Sequence, residues 1–254
     1  MNNYDFYDEA IAQNYEYFRK TDRFWKWEDN VVHTILRYSK NDCVQNLIDC
    51  PVGTGRFLPL YENLKLDVKG YDLSKDMLSV AASTASSLQK DFSLSLELSD
   101  INSLNAKSQI FVCFRLAHLM SPDSFHNALE VALACAENKF ILQIFDLHNY
   151  SFQGCLKSKK LRFQSKTQLL KYIFRSFKSL LSGKLLKDGG FVSAGLHEDN
   201  YSAQTYWHNY ASLIKIFNKH NFSVEETFEL LDEKHMNKEN CFIKTSILVL
   251  SRDA

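Results

Sequence analysis

One segment limits the folds open to this chain more than any other: Leu47-Ile48-Asp49-Cys50-Pro51-Val52-Gly53-Thr54-Gly55-Arg56-Phe57. An apolar strand ends in a carboxylate, then turns through a loop with glycines two apart into a helix. Glycine reaches positive φ and lets a ligand approach the backbone where a Cβ would obstruct it. In open α/β sheets, a loop at the C-terminal end of the first strand is where cofactors are held. Ordinary strand-to-helix turns share this look, so the segment gains its meaning from the residues downstream of it.

The pattern then repeats. Val68-Lys69-Gly70-Tyr71-Asp72 is a second strand ending in an acid, about twenty residues on, where a carboxylate can accept hydrogen bonds from two ribose hydroxyls. Leu73-Ser74-Lys75-Asp76-Met77-Leu78 comes next, with Ser74 as the N-cap of a helix. A third strand closes on Asp100-Ile101, an acid and an apolar side chain suited to the edge and face of adenine. Three successive strands ending in acids at one edge are hard to explain by packing alone.

Across the chain, short apolar runs alternate with helical patterns, as in βαβ units on a parallel sheet. The expected strands are Gln45–Cys50, Asp67–Asp72, Leu94–Asp100, Ile110–Phe114, Lys139–Phe145, Phe222–Leu230 and Phe242–Ser251. The last two are joined by a short loop and suit antiparallel pairing. Helices are expected over Lys75–Gln89, Asp123–Ala136 and Ala211–His220. The fold expected is thus α/β: a doubly wound, mostly parallel seven-stranded sheet with an antiparallel C-terminal strand pair and an inserted helical cap. Within a single domain, 1–40 form an aromatic-rich N-terminal helical cap and 41–146 the ligand-binding core. Residues 147–206 form an inserted lid, and 207–254 a closing helix and strand pair.

Composition removes other classes. Thirty Lys and Arg balance thirty Asp and Glu, so no global charge points to nucleic acid or membrane. No run reaches the roughly 18 apolar residues of a spanning helix, and the N-terminus does not read as a secretory signal. The six cysteines are scattered without metal-ligand spacing, which favours reduced thiols, no metal site and a cytoplasmic protein.

These segments resemble the class I S-adenosylmethionine (SAM) dependent methyltransferases, whose nucleotide loop in one branch reads D-x-P-C-G-T-G-R. Asp49-Cys50-Pro51-Val52-Gly53-Thr54-Gly55-Arg56 matches that form, with Val52 in place of its cysteine. Asp72-Leu73-Ser74-x-x-Met77, Asp100-Ile101 and Phe114-Arg115-Leu116-x-His118 resemble the same branch. The resemblance spans roughly 45–145. It implies SAM as cofactor, with Pro51, Gly53 and Gly55 passing its methionine part and Asp49 near its amino group. It further implies Asp72 on the ribose, Leu73 and Met77 flanking adenine, Asp100 and Ile101 at the adenine amino edge, and Arg115 beside the methyl donor. The activity implied is methyl transfer to a hydroxyl or amine of a small molecule or glycan. Two other uses of the fold stay open: a non-methylating use of SAM, as in a lyase, and a partner-binding subunit.

A hydroxyl acceptor usually needs a general base. His118, His148, Asp146 and His208 are the candidates, each also readable as an ordinary surface residue, and His118 is favoured. Between Lys157 and Lys187 lie ten of the thirty basic residues and no acid. Leu169, Leu170, Ile173, Phe174, Phe177, Leu180 and Leu181 fall there at helical spacing. Three readings stand: a packed helix with a solvated face, a lid favouring anionic acceptors, or an amphipathic helix on an anionic membrane surface. Nucleic acid is not expected, since no binding module accompanies the patch.

Overall fold

A computed structural model describes residues 9–19, 23–39, 44–88, 92–148, 189–194, 202–236 and 242–253. In chain order the elements are α1 (Glu9–Arg19), α2 (Arg23–Ser39), β1 (Asn46–Asp49), α3 (Leu58–Asn63), β2 (Asp67–Asp72), α4 (Lys75–Ser86), β3 (Leu94–Leu98), β4 (Ser108–Cys113), α5 (Pro122–Cys135), β5 (Ala136–His148), β6 (Gly189–Ala194), β7 (Ser202–Trp207), α6 (Tyr210–Lys219), β8 (Phe222–Met236) and β9 (Phe242–Arg252).

The central strands are apolar on both faces, and their alternation sorts them into two cores. Ile48, Phe111, Cys113, Phe140 and Leu142 face one core, closed by Phe125, Leu129 and Leu133 of α5 and Leu213 and Phe217 of α6. Leu47, Ile110, Val112 and Ile141 face the other, closed by Val32, Ile35 and Leu36 of α2 and Leu58 and Tyr61 of α3. A sheet buried on both sides is the doubly wound arrangement read from the sequence.

Strand order is β3-β2-β1-β4-β5-β9-β8. β1 pairs in parallel with both β2 and β4, while β9 runs antiparallel between β5 and β8. The chain winds outward from β1 through β2 to β3, then crosses back to β4. A crevice therefore opens at the C-terminal ends of β1 and β4, the topological switch point where such sheets hold ligands.

Several limits differ from expectation. β5 was expected over Lys139–Phe145 but runs to His148, because β9 pairs with it from Lys139↔Ser251 to His148↔Phe242. The helix expected over Lys75–Gln89 ends at Ser86. There the Ser86 and Ser87 hydroxyls donate to the carbonyls of Ser83 and Thr84, a local competition that favours helix ends. Of residues 147–206, the segment expected as an inserted helical cap, the described part includes an antiparallel pair, β6 and β7, in register from Gly189↔Trp207 to Ala194↔Ser202. In Gly-Gly-Phe-Val-Ser-Ala only Phe191 and Val192 favour a strand, and pairing with Thr205, Tyr206 and Trp207 of β7 extends it over the glycines. The helical spacing at Leu169–Leu181 lies outside the described residues. Among the described residues no helix is long and apolar enough to cross a membrane, and no group of three or more His, Cys, Asp and Glu could hold a metal.

Candidate active site

At the switch point lies a cleft enclosing about 860 Å³ of empty space, counting its open mouth. One end is lined by Pro51, Val52, Gly53, Asp72, Leu73, Ser74 and Met77. The other is lined by Tyr15, Trp25, Arg56, Phe57, Phe114, Arg115, Leu116 and Leu119.

The glycine loop is pinned on both sides before it turns. Cys50 N donates to Val112 O of β4 at 3.0 Å and Val52 N to Tyr71 O of β2 at 2.8 Å. Its two glycines answer to different needs. Gly53 sits at φ +57, and a Cβ there would meet nothing within 4 Å, since the space beside it is the cleft. Gly55 sits at φ +77, where a Cβ would lie 2.7 Å from Leu58 Cδ1 and 3.1 Å from Ala81 Cα. It lets α3 and α4 pack together and does not line the cleft.

Asp72 ends β2 at the cleft floor and is 8% exposed. Its Oδ2 accepts from Gly53 N and its Oδ1 from Ser74 N, each at 2.9 Å. Burial pushes its pKa up, and these backbone donors oppose that. Ser74 also caps α4, accepting from Met77 N at 3.2 Å, so the turn after β2 comes preset. Beside it Leu73 is 43% exposed, an apolar side chain left facing the cleft.

The other two strand-end acids stand differently. Asp49 is 2% exposed and accepts from Tyr61 Oη of α3 at 2.9 Å. It lies beneath the loop rather than on the cleft wall. Burial pushes its pKa up to about 7; Tyr61's hydrogen bond opposes the rise, the Asp72 charge adds to it, and Arg56 opposes it. Asp100 caps a short 3₁₀ turn, Ile101–Ser103, accepting from Asn102 N at 2.8 Å. Ile101 is 7% exposed and belongs to the core beneath. Neither lines the cleft.

Arg115 follows β4 with φ +58, a left-handed conformation costing a non-glycine residue roughly 1–2 kcal/mol. Its N–H donates to Gln143 Oε1 of β5 at 3.0 Å, and its guanidinium lies 2.7 Å from Glu28 of α2. Arg56 reaches the same carboxylate at 2.7 Å, donates to Asp29 at 2.9 Å, and lies 3.7 Å over the Trp25 ring. Burial alone would raise the Glu28 pKa, but Arg115 and Arg56 together outweigh it and hold the carboxyl below its usual range. Both arginines are therefore committed to α2. The sequence reading missed Glu28, Trp25 and Tyr15. The available signal was an acid on an apolar helical stripe, Trp25, Glu28, Val32, Leu36, all of them buried.

His118 lies on the 3₁₀ turn Ala117–Leu119, half-buried, its ring stacked on Phe145 at 4.7 Å. His208 departs from the surface position weighed for it. It is 0% exposed, with Nε2 2.7 Å from Ala117 O and its ring 4.4 Å from that of Phe125, and it braces the His118 turn from behind. Asp146 and His148 end β5, and their side chains lie outside the described residues.

No family model matches the chain, and no curated protein matches its sequence. Solved structures do match its fold. The magnesium protoporphyrin IX methyltransferase of Synechocystis PCC 6803, solved with bound S-adenosylhomocysteine (SAH), has a TM-score of 0.62 at 16% identity, over 98% of this chain and 97% of its own. A SAM-dependent methyltransferase of Clostridium acetobutylicum gives 0.58 at 13%, over 96% and 98%. The 1,6-didemethyltoxoflavin-N1-methyltransferase of Burkholderia thailandensis, solved with 1,6-didemethyltoxoflavin and SAH, gives 0.55 at 11%, over 96% and 89%. The strand order, the switch-point cleft and these likenesses agree: this chain has the fold of the class I SAM-dependent methyltransferases.

Proposed function

We propose that this chain is an enzyme that binds SAM in the switch-point cleft and transfers its methyl group to a small molecule. The observation carrying this reading is the Asp72 carboxylate, buried at the cleft floor and braced by two backbone donors with Leu73 exposed beside it. A ribose fits such a carboxylate, which still has lone pairs for two hydroxyls, and an adenine face fits Leu73 with Met77. Gly53 leaves open the space that the methionine part would occupy. Asp49, Gly55, Asp100 and Ile101 belong to the same proposal as its supporting frame.

Bound there, SAM supplies an electrophilic methyl group, so the protein's task is positioning and exclusion of water. Trp25, Phe57, Phe114, Leu116 and Leu119 line the other end with apolar surface, which suits an acceptor held dry against the donor. For a hydroxyl acceptor, His118 would take the proton, its ring plane set by Phe145. Two of the structural neighbours are methyltransferases of small molecules, one named for magnesium protoporphyrin IX and one for 1,6-didemethyltoxoflavin, which favours a small molecule over a glycan. The basic run Lys157–Lys187 favours an anionic acceptor. The buried free thiols Cys50, Cys113 and Cys135 suit a cytoplasmic setting.

Calorimetry tests the reading. SAM and SAH should both bind, with heats unaffected by a chelator. Absence of heat with either ligand would sink the assignment. Incubation of labelled SAM with candidate acceptors, read by mass spectrometry, then identifies the product.

A further inference from the structure

From outside the sheet α2 contributes Trp25 to the cleft lining, and one side chain of that helix is unusual for its place. Glu28 is 0% exposed and falls on the apolar stripe that seats α2, between Trp25 and Val32. Its Oε2 accepts from Arg56 Nη1 at 2.7 Å, Arg115 Nη2 lies 2.7 Å from Oε1, and Gln143 Nε2 donates to Oε1 as well. These partners come from the end of the glycine loop, the turn after β4, and β5. One carboxylate thus ties the glycine loop, the turn after β4 and β5 to a helix distant in sequence.

Fold stability does not call for this arrangement. Replacing a buried ion cluster with well-packed apolar residues is often neutral or stabilising. What a buried, fully partnered carboxylate supplies is a single geometry. The turn after β4 needs one, because Arg115 holds a left-handed backbone, a state that persists only where its surroundings over-determine it. Glu28 grips its side chain while Gln143, itself a donor to Glu28, accepts from its N–H. Arg56 fastens the same turn of α2 a second time, through Asp29, the Trp25 carbonyl and the Trp25 ring. Trp25, Arg56 and Arg115 all line the cleft.

We propose that Glu28 is a positioning residue: by binding Arg56, Arg115 and Gln143 at once, it sets the turn after β4 and docks α2 at the cleft. Ligand binding and docking of α2 then favour each other, since coupling between two such events is reciprocal. The docking role stands on this geometry alone; the coupling rests on the SAM reading, which names the ligand.

The test compares full-length wild type with Glu28→Gln, which keeps shape and removes the charge, and Glu28→Asp, which keeps charge and shortens the reach. In Glu28→Gln, amide exchange over 23–39 and 115–119 should quicken by about tenfold or more while amides of β4 and β5 keep wild-type protection. SAH should slow exchange of α2 in the wild type, and its Kd should rise by about tenfold in the Gln variant and less in the Asp variant. Unchanged exchange in α2 would overturn the proposal. So would uniform loss of protection through β4 and β5, which marks a general stabiliser, or an unchanged Kd. A wild type that binds no SAH would refute the SAM reading and the coupling with it, and ligand-free exchange would then decide the docking role by itself. Should the Gln variant not fold, the Asp variant carries the same readouts.

Discussion

At the Asp72 end of the cleft, the hydrogen bonds that shape the wall join residues 2, 3 and 19 positions apart. At the Arg115 end, the bonds that shape it span 28, 87 and 115 positions. The first end is a strand, a turn and a helix cap braced by the glycine loop, which β4 in turn holds at Cys50. The second exists once α2, β4 and β5 have all come together. Local geometry survives fluctuation of the rest, whereas a cluster built from distant segments loosens when any one of them moves. The proposed ribose-and-adenine end should therefore be rigid and dominate cofactor affinity, and the α2 end adjustable, acting on the cofactor through the docking of α2.

The largest effect should come from the rigid end. Asp72→Ala removes the acceptor proposed for two ribose hydroxyls, at about 1.5–3 kcal/mol for each charged hydrogen bond. SAH affinity measured by calorimetry should fall by about a hundredfold or more. Because Gly53 N and Ser74 N lose their acceptor too, the free variant should also melt a few degrees lower. Unchanged affinity would show that the ribose site lies elsewhere.

The two glycines sharpen the comparison within a single loop. Gly55→Ala forces a Cβ against Leu58 and the Ala81 backbone at a strained φ, for a loss of about 2–4 kcal/mol in stability by denaturant titration. Gly53→Ala carries the strain without the clash, about 1–2 kcal/mol, and places its methyl in the ligand space. Per unit of stability lost, Gly53→Ala should weaken SAH binding more. The reverse order would mean that the ligand lies along Gly55.

Asp49 gives the pH prediction. Its folded pKa, about 7, lies above the ordinary carboxylate value, so between about pH 4 and 7 the folded state binds a proton that the unfolded state has released. Its contribution is fully present below pH 4 and is lost as pH rises through 7, at about 1.4 kcal/mol per pH unit. Asp49→Asn, which can still accept from Tyr61, should flatten that slope and melt above wild type at pH 8. An identical slope in wild type and variant would show that Asp49 does not carry this proton.

The smallest effect on the cofactor is expected from the basic run. Replacing Lys171, Arg175 and Lys178 with Gln should leave SAH affinity unchanged and raise the KM of an anionic acceptor. If the variant instead loses binding to anionic vesicles with its acceptor kinetics intact, the run serves a membrane surface, at about 1 kcal/mol per basic residue.

Much of the rigid end was legible in the chain because its chemistry is local. Asp72, Leu73, Ser74 and Met77 stand in one short stretch, and Ser74 caps α4 as its type and position suggest. Other residues in that reading occupy different places. Asp49 and Asp100 spend their hydrogen bonds on Tyr61 and Asn102, and Gly55 serves the packing of α3 and α4. A strand-end acid and a loop glycine look alike in sequence whether they face a ligand or a helix, since what separates them is the direction of one side chain.

What the sequence by itself determined is the doubly wound sheet and the position of its switch point, because hydrophobic period and strand-end turns are properties of short segments. What only the tertiary structure decided is the α2 end of the cleft: Trp25 over Arg56, Glu28 between two arginines, Arg115 in a left-handed turn. The β6–β7 pair belongs with it, since the paired glycines that open β6 give no strand signal of their own. The reason is physical. A buried charge such as Glu28 is tolerable only where partners from elsewhere in the chain converge on it, and no local pattern records where those partners will be.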